Sequence, residues 1–313
     1  MTAATVTPIG LSPDLDIRGL RRFTNAVSDT LAVMARNIIG YRRVPQLLIF
    51  STIQPVVFVL LFRYVFGGAI SVPGVPYVDF LMPGIFVQTV TFGALNTSIG
   101  LATDMQAGLI ERFRSLPMAR SAVLAGRTLA DLVRNVFVVA LMFAVGFAVG
   151  WRVHTGIVPL IGAVLLVLLF GYALSWIFAT VGLIVGDPET AQAAAFPVMA
   201  PLVFASNAFV PVASMPDWLQ PWATHQPVSV VITAVRDLTI GGPTTFDVLA
   251  AILWCVAILA VAAPIAVLAR RGVAASLVVG RPRNGYGAHA WVEVGGLPAL
   301  PAAKDKFAHL VAL

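Results

Sequence analysis

The segment Asp104–Arg127, DMQAGLIERFRSLPMARSAVLAGR, decides how this chain is organised. It is the longest charged interruption between the first and last apolar stretches of a sequence in which charged residues make up only 11%. It carries four arginines and two acids, and its apolar residues Met105, Leu109, Phe113 and Leu116 recur at helical spacing. A charged helical segment held between two apolar spans predicts a contact with a partner in the aqueous phase.

Composition defines the class of protein. The chain has 313 residues, of which 59% are hydrophobic, and its mean hydropathy is +0.91. A soluble domain of this size cannot hide that much apolar surface, so the composition predicts a polytopic membrane protein. The single cysteine, Cys255, excludes an intrachain disulfide and a cysteine-based metal site. The net charge of +6 comes from basic clusters beside apolar spans, which is typical of membrane topology, and we expect no nucleic-acid partner.

Six apolar stretches are long enough to cross a bilayer, since a spanning helix needs about 20 mostly apolar residues. They predict an all-α membrane protein. Span 2 is polar for a span, and its Gln88, Thr91 and Asn96 either line a transport pathway or hydrogen-bond neighbouring helices. The predicted spans are 47–66, 80–103, 129–150, 158–185, 191–211 and 247–269.

Four regions follow from this pattern. Residues 1–16 are predicted to be a disordered N-terminus, and residues 17–46 a cytoplasmic amphipathic connecting helix lying in the headgroup plane. The alternative for that helix is an ordinary basic flank that only fixes orientation. Residues 47–271 form the transmembrane domain, and residues 272–313 form a cytoplasmic tail. Within the domain, the interrupted stretch 212–246 is predicted to form short helices that re-enter one membrane face.

Basic residues set the orientation. Six lie in the N-terminal flank, four between spans 2 and 3, and six in the C-terminal flank and tail. The opposite side holds only Arg152 and Arg236, with Arg63 near a span end. Cytoplasmic loops carry the excess of basic residues, so both termini and the 104–127 segment are predicted to be cytoplasmic. We expect a multi-pass protein of the plasma membrane.

Several chemistries are missing from the sequence. An ATP-binding P-loop needs a lysine within GxxxxGK[ST], and the only two lysines, Lys304 and Lys306, follow no such pattern. The acids are expected to lie outside the apolar cores, which disfavours a proton-driven carrier. The four histidines have no metal-ligand spacing. The sequence therefore predicts no catalytic residue, no metal site and no ATP site, and favours a subunit that borrows its driving force.

The 104–127 segment divides at Pro117, which is expected to end a first helix. The 104–116 half is predicted to be a cytoplasmic coupling helix that passes the motion of a docked partner to spans 2 and 3. The alternative is an amphipathic loop resting on the lipid surface. Arg127, Asp131 and Arg134 are expected to form ordinary ion pairs at a helix entry, where the basic residues anchor the interface.

Two separated blocks of sequence resemble the type-2 ABC exporter permeases, especially the daunorubicin-resistance branch. They fall in the family's order and spacing. One departure is His225-Gln226-Pro227, where many members have Asn before the proline. The first block is Phe80-Leu-Met-Pro-Gly84, Asp104, Gly108, Glu111-Arg112, Leu116-Pro117, Arg120, Gly126-Arg127 and Asp131. The second block is Asn207-Ala-Phe-Val-Pro211, Met215-Pro-Asp-Trp-Leu-Gln220, Pro227 and Ala234-Val-Arg236.

The resemblance implies partners and sites. A member of this family pairs with a second permease, either another copy or a paralogue. Two copies of a cytoplasmic ABC ATPase, which bind ATP and Mg²⁺, dock on the coupling helix, and the permease itself holds no cofactor. A hydrophobic drug or lipid then passes along the permease interface. The implied ATPase-coupling residues are Gly108, Leu109, Glu111, Arg112 and Arg114. The implied substrate-pathway residues are Phe86, Gln88, Thr91, Asn96, Phe204, Ser206 and Asn207.

Three alternatives stay open at this point. A type-2 permease for polysaccharide or glycolipid export shares the same layout. An ion-coupled secondary carrier would work without a partner, although the expected lack of buried carboxylates counts against a proton-driven one. A passive membrane scaffold would need no substrate pathway.

Overall fold

The computed structural model describes residues 14–43, 45–70, 72–109, 113, 121–270, 275–282, 289–294, 297–298 and 307–312. The predicted disordered N-terminus lies largely outside this range. The predicted coupling residues Glu111, Arg112 and Arg114 lie outside it entirely.

The membrane region is all-helical, as predicted. Its helices are α1 (Asp14–Arg43), α2 (Pro45–Leu60), which continues into a π-helical turn (Leu61–Phe66), α3 (Tyr77–Gln106), α4 (Ala122–Ala148), α5 (Ile157–Val185), α6 (Pro188–Phe204), a 3₁₀ turn (Val212–Ser214), α7 (Gln220–His225), α8 (Pro227–Ile240) and α9 (Thr244–Arg270). The tail adds four antiparallel strands in the order β3-β2-β1-β4, which are β1 (Ala275–Pro282), β2 (His289–Val294), β3 (Leu297–Pro298) and β4 (Phe307–Ala312).

Four of the described helices are long and apolar enough to cross a membrane, namely α3, α4, α5 and α9. The apolar helix 51–66 is shorter. The structure thus supports four of the six predicted spans by length, while α6, in the predicted span 5, has 17 residues.

The predicted span 191–211 differs from the observed helix α6 in where it ends, because α6 runs from Pro188 to Phe204. Asp187 caps the start of α6, because its carboxylate accepts the Thr190 backbone N–H at 2.8 Å and the Thr190 hydroxyl at 2.7 Å. These bonds hold the pKa of Asp187 below its usual value. The helix ends at Phe204 after only 17 residues. Beyond it the Ser206 hydroxyl donates to the Val203 carbonyl, a local bond that competes with a further helical turn.

Helix α3 is the centre of the fold. In its most apolar 18-residue window 83% is buried, against 17% for α9, which therefore lies at the edge. Close backbone approach secures the centre: a Cβ at Gly182 of α5 would fall on the backbone of Ser98 in α3. At the end of α3 near residue 77, the Arg236 guanidinium of α8 donates to the carbonyls of Phe80 at 3.1 Å and Asn207 at 3.0 Å.

This packing generates a stability prediction within one helix. We expect Gly182→Ala to lower the free energy of unfolding by about 1–3 kcal/mol, because an added methyl forces α3 and α5 apart. Gly162→Ala is the matched control, since a Cβ there meets only a Leu238 methyl at 3.9 Å. Chemical unfolding of the purified chain in detergent micelles measures both. Equal stabilities for the two variants would contradict the close α3–α5 contact.

Candidate functional site

A group of charged side chains, which we call the seam, lies between α1, α3 and α4. It consists of Arg36, Asp104, Arg127, Asp131 and Arg134. Two glycines of α3, Gly93 and Gly100, lie seven residues apart and so share one face of the helix. Arg127 and Arg134 of α4 have the same spacing and lie against them in antiparallel register. A Cβ at Gly93 would come within 2.9 Å of the Arg134 guanidinium, and one at Gly100 would overlap that of Arg127. The glycines thus leave the room that two buried guanidinium groups need.

Asp131 lies between these arginines and is only 1% exposed. One carboxylate oxygen accepts the Tyr41 hydroxyl of α1 at 2.6 Å, and the other accepts the Thr97 hydroxyl of α3 at 2.6 Å. The second oxygen also lies 3.7 Å from the Arg127 guanidinium, which confirms the predicted i,i+4 pair. A buried carboxylate persists where hydrogen bonds and opposite charge surround it, and here those partners come from three helices.

Asp104 extends the seam towards the coupling segment. Its carboxylate lies 3.0 Å from the Arg36 guanidinium of α1 and 3.8 Å from that of Arg127. The Arg36 guanidinium also lies over the Phe113 ring, 5.3 Å from its centroid. Helix α1 therefore contacts α3, α4 and one residue of the predicted coupling segment.

Tyr41 is held in its neutral form. Burial raises its pKa far above the usual value, and the negative charge of Asp131 raises it further. The hydroxyl therefore remains a donor to the Asp131 carboxylate throughout the physiological pH range.

One expectation about charge is wrong. Acids were expected outside the apolar cores, yet Asp79 and Asp131 are 3% and 1% exposed. The Asp79 carboxylate lies 2.8 Å from the His154 ring and accepts the Arg152 backbone N–H at 3.0 Å. Arg134 is also buried within the protein, 6% exposed near the middle of α4, and its place at the membrane interface stays a prediction. Several of the hydrogen-bond partners of these residues lie far away along the chain, such as Tyr41 and Thr97 for Asp131 and Gly93 for Arg134, and sequence spacing does not show them.

The coupling segment departs from one continuous helix. Helix α3 ends at Gln106, and Gly108 adopts a left-handed conformation with φ of 66°. Glycine takes this conformation without strain, so Gly108 forms a turn here. Met105 therefore belongs to span 2, and the predicted single face through Leu109 and Phe113 is broken before Leu109. The residues Leu109 and Phe113 are themselves helical.

The predicted pathway residues fall into three groups. Gln88 and Asn96 line one cavity beside α3. Phe86 stacks on Phe143 with ring centroids 4.5 Å apart, and the Thr91 hydroxyl donates to the Val87 carbonyl at 2.7 Å within α3. The remaining three, Phe204, Ser206 and Asn207, lie at the end of α6 and in the turn that follows it.

Those last three residues have different surroundings. The Phe204 ring lies 5.9 Å from that of Phe209 and is 48% exposed. The Asn207 amide donates to the Thr233 hydroxyl of α8 at 2.9 Å. Ser206 is fully buried by its neighbours. The structure therefore does not gather the seven predicted pathway residues into one site.

The cavity beside α3 has a volume of about 260 Å³. Helices α2, α3 and α4 line it, and Arg134 is the one charged residue among its described lining residues. Polar lining residues are Ser51, Gln54, Gln88, Thr89, Asn96, Arg134 and Asn135, and apolar ones include Phe92, Leu95 and Val138. Sequence reasoning missed the role of Arg134, although the equal spacing of Gly93–Gly100 and Arg127–Arg134 was a visible signal.

The seam generates a prediction about the attachment of α1. We expect Tyr41→Phe to weaken the seam by about 1.5–3 kcal/mol, because Asp131 loses a hydrogen bond to a buried charge. Hydrogen–deuterium exchange of α1 should then become faster. Tyr64→Phe is the matched control, because Tyr64 is 66% exposed in the π-helical turn. Unchanged exchange in Tyr41→Phe would show that Asp131 does not hold α1.

Comparison with known proteins gives consistent matches. The family model described as "ABC-2 type transporter" matches residues 28–240. One relative is the daunorubicin resistance ABC transporter permease protein DrrB1 of Streptomyces coeruleorubidus, 37% identical over 71% of this chain and 79% of its own length. The probable doxorubicin resistance ABC transporter permease protein DrrC of Mycobacterium tuberculosis is 28% identical over 78% of this chain and 89% of its own. The putative transport permease ycf38 of Pyropia yezoensis is 26% identical over 68% and 74% respectively.

Proposed function

This chain belongs to the ABC-2 type transporter family, and we propose that it is the permease subunit of an ATP-driven exporter of hydrophobic drugs or lipids. The observation that carries the proposal is the family match together with 37% identity to a permease named for daunorubicin resistance. The names of the Streptomyces and Mycobacterium relatives favour drug-like amphiphiles over polysaccharides as substrates.

We infer that the driving force comes from a separate ATPase. The sequence has no Walker lysine, so ATP and Mg²⁺ bind to that partner, in two copies, while a second permease copy or paralogue completes the transporter. The complex sits in the plasma membrane with both termini of this chain cytoplasmic. Helices α2 and α6 complete six spans, and the short helices of the 212–246 stretch re-enter the outer face.

The ATPase docks on the 104–116 segment. Gly108 gives this segment its turn and Leu109 gives it an apolar contact. The charges come from Glu111, Arg112 and Arg114. Support comes from the seam directly behind it: Asp104 binds Arg36 and lies beside Arg127. A displacement of the segment therefore pulls on α1, α3 and α4 together. Substrate crosses at the permease–permease interface, with Phe204 exposed there and Gln88, Thr91 and Asn96 towards the middle of span 2.

Charge reversal at the docking segment tests the coupling role. We expect the double variant Glu111→Arg, Arg112→Glu to reduce efflux of daunorubicin by about tenfold or more, because mismatched charges cost several kcal/mol at an interface. Membrane insertion should be unchanged. The assay is drug efflux from cells that co-express the cognate ATPase, with the amount of permease in the membrane measured alongside.

Glu189→Arg is the control, since it reverses an exposed charge in the first turn of α6, at an end of the helix that is also predicted to be cytoplasmic. Efflux should stay near the wild-type rate in this control. If the double variant exports as well as the control, the 104–116 segment is not the ATPase contact.

A further inference from the structure

The seam carries an excess of positive charge. Three guanidinium groups, of Arg36, Arg127 and Arg134, face two carboxylates, of Asp104 and Asp131. Arg36 and Arg127 account for both acids, and the oxygens of Asp131 are engaged by Tyr41, Thr97 and Arg127. One positive charge is therefore left over, and it lies at the Arg134 end of the seam.

Arg134 is buried within the protein. It is 12 residues into a 27-residue helix and is only 6% exposed. Its guanidinium donates to two neutral acceptors, the Gly93 carbonyl at 2.6 Å and the Asn135 side chain at 3.1 Å. Its Nε has no hydrogen-bond partner. A buried charge costs several kcal/mol unless it is compensated, so a buried arginine whose described hydrogen-bond acceptors are all neutral points to a bound counterion.

The cavity next to Arg134 offers a place for that counterion. Its volume of about 260 Å³ holds a headgroup. Gln88, which is 1% exposed, lines it, and neither atom of its side-chain amide has a hydrogen-bond partner. Buried amides are normally paired. The charged anchor and the unpartnered amide thus meet at one cavity, with no acid among its described lining residues.

We propose that this cavity binds the oxyanion headgroup, a carboxylate or phosphate, of an acidic amphiphile. Arg134 is the charged anchor and the Gln88 amide is a second donor. The lining also includes the apolar residues Phe92, Leu95 and Val138, which suit contact with a hydrocarbon tail. The oxyanion comes either from an anionic membrane phospholipid or from an acidic amphiphile that the transporter exports. Binding needs only this chain, so the site stands or falls independently of the proposed export.

Binding of two probes with the same tail tests the charge of the site. The full chain is placed in nanodiscs of zwitterionic phosphatidylcholine, and equilibrium binding of radiolabelled dodecyl phosphate is compared with that of dodecyltrimethylammonium. We expect saturable binding of the phosphate at one site per chain and none of the ammonium. Equal binding of both probes, or no saturable binding, would overturn the proposal and leave a cavity filled by water.

Three variants assign the anchor. Arg134→Gln should weaken dodecyl phosphate binding by about 10- to 100-fold, since hydrogen bonds to a charged group contribute about 1.5–3 kcal/mol. Arg134→Lys should restore most of the affinity because it keeps the charge. Gln88→Leu removes the second donor but keeps the arginine, so we expect a smaller loss of dodecyl phosphate affinity than in Arg134→Gln. This variant still tests the site if Arg134→Gln does not fold. Arg63→Gln, in the π-helical turn, is the charge control and should bind normally. Wild-type affinity in both Arg134→Gln and Gln88→Leu would contradict the assignment.

Nanodiscs that contain phosphatidylglycerol separate the two sources. If a membrane phospholipid is the natural occupant, one phosphatidylglycerol per chain should remain bound in native mass spectrometry and exclude dodecyl phosphate. If an exported amphiphile is the occupant, dodecyl phosphate should still bind in excess phosphatidylglycerol. Both results support an oxyanion site. If Arg134→Gln retains as much phosphatidylglycerol as the wild type, lipid retention does not depend on this cavity. That result would count against the proposed site.

Discussion

The rest of the structure depends on how charged groups are kept within apolar helices. Guanidinium and carboxylate groups inside a membrane protein must find partners in protein, because hydrocarbon provides none. In this chain Arg127 and Asp131 are paired within α4, and Thr97 of α3 and Tyr41 of α1 complete the set. That requirement fixes the antiparallel register of α3 and α4, since only Gly93 and Gly100 leave room for the two arginines.

The same requirement links the proposed docking segment, residues 104–116, to the spans. Arg36 binds Asp104, and Asp104 lies directly before the end of α3 at Gln106. A partner that pushes on the segment after Gln106 acts on three helices tied together by charge. Apolar contacts can slide past one another with little change in energy, but buried ion pairs have few alternative arrangements. We therefore regard α1, α3 and α4 as one mechanical unit.

The other end of α3 is secured differently. The Asp79 carboxylate binds His154 and the backbone of Arg152, while the Arg236 guanidinium lies 3.7 Å from the centroid of the Phe80 ring. These contacts join α3 to the 149–156 loop and to α8. Helix α9 is largely exposed and packs at the edge of the fold. Movement is thus easier to accommodate at α9 than at the seam.

The sequence predicted those features that depend on composition and period. Long apolar runs predicted α3, α4, α5 and α9, because length and apolarity alone define a spanning helix. The early end of α6 does not follow from composition, because it depends on a local hydrogen bond from the Ser206 hydroxyl to the Val203 carbonyl. The seam was missed for another reason: Asp131 and Arg134 read as surface charges until Tyr41, Thr97 and Gly93 are seen beside them. Contacts between residues far apart in the sequence are hard to predict from it. Here the one visible signal was that Gly93–Gly100 and Arg127–Arg134 share a spacing of seven residues.

Distance measurement between spin labels tests the mechanical unit most directly. Labels at Leu31 of α1 and Val133 of α4 are on exposed positions, and a third at Phe246 marks the start of α9. In nanodiscs with the cognate ATPase, addition of ATP should leave the Leu31–Val133 distance distribution narrow and unchanged, while the Leu31–Phe246 distance shifts. A shift or broadening of the Leu31–Val133 distance as large as that of the second pair would contradict the account.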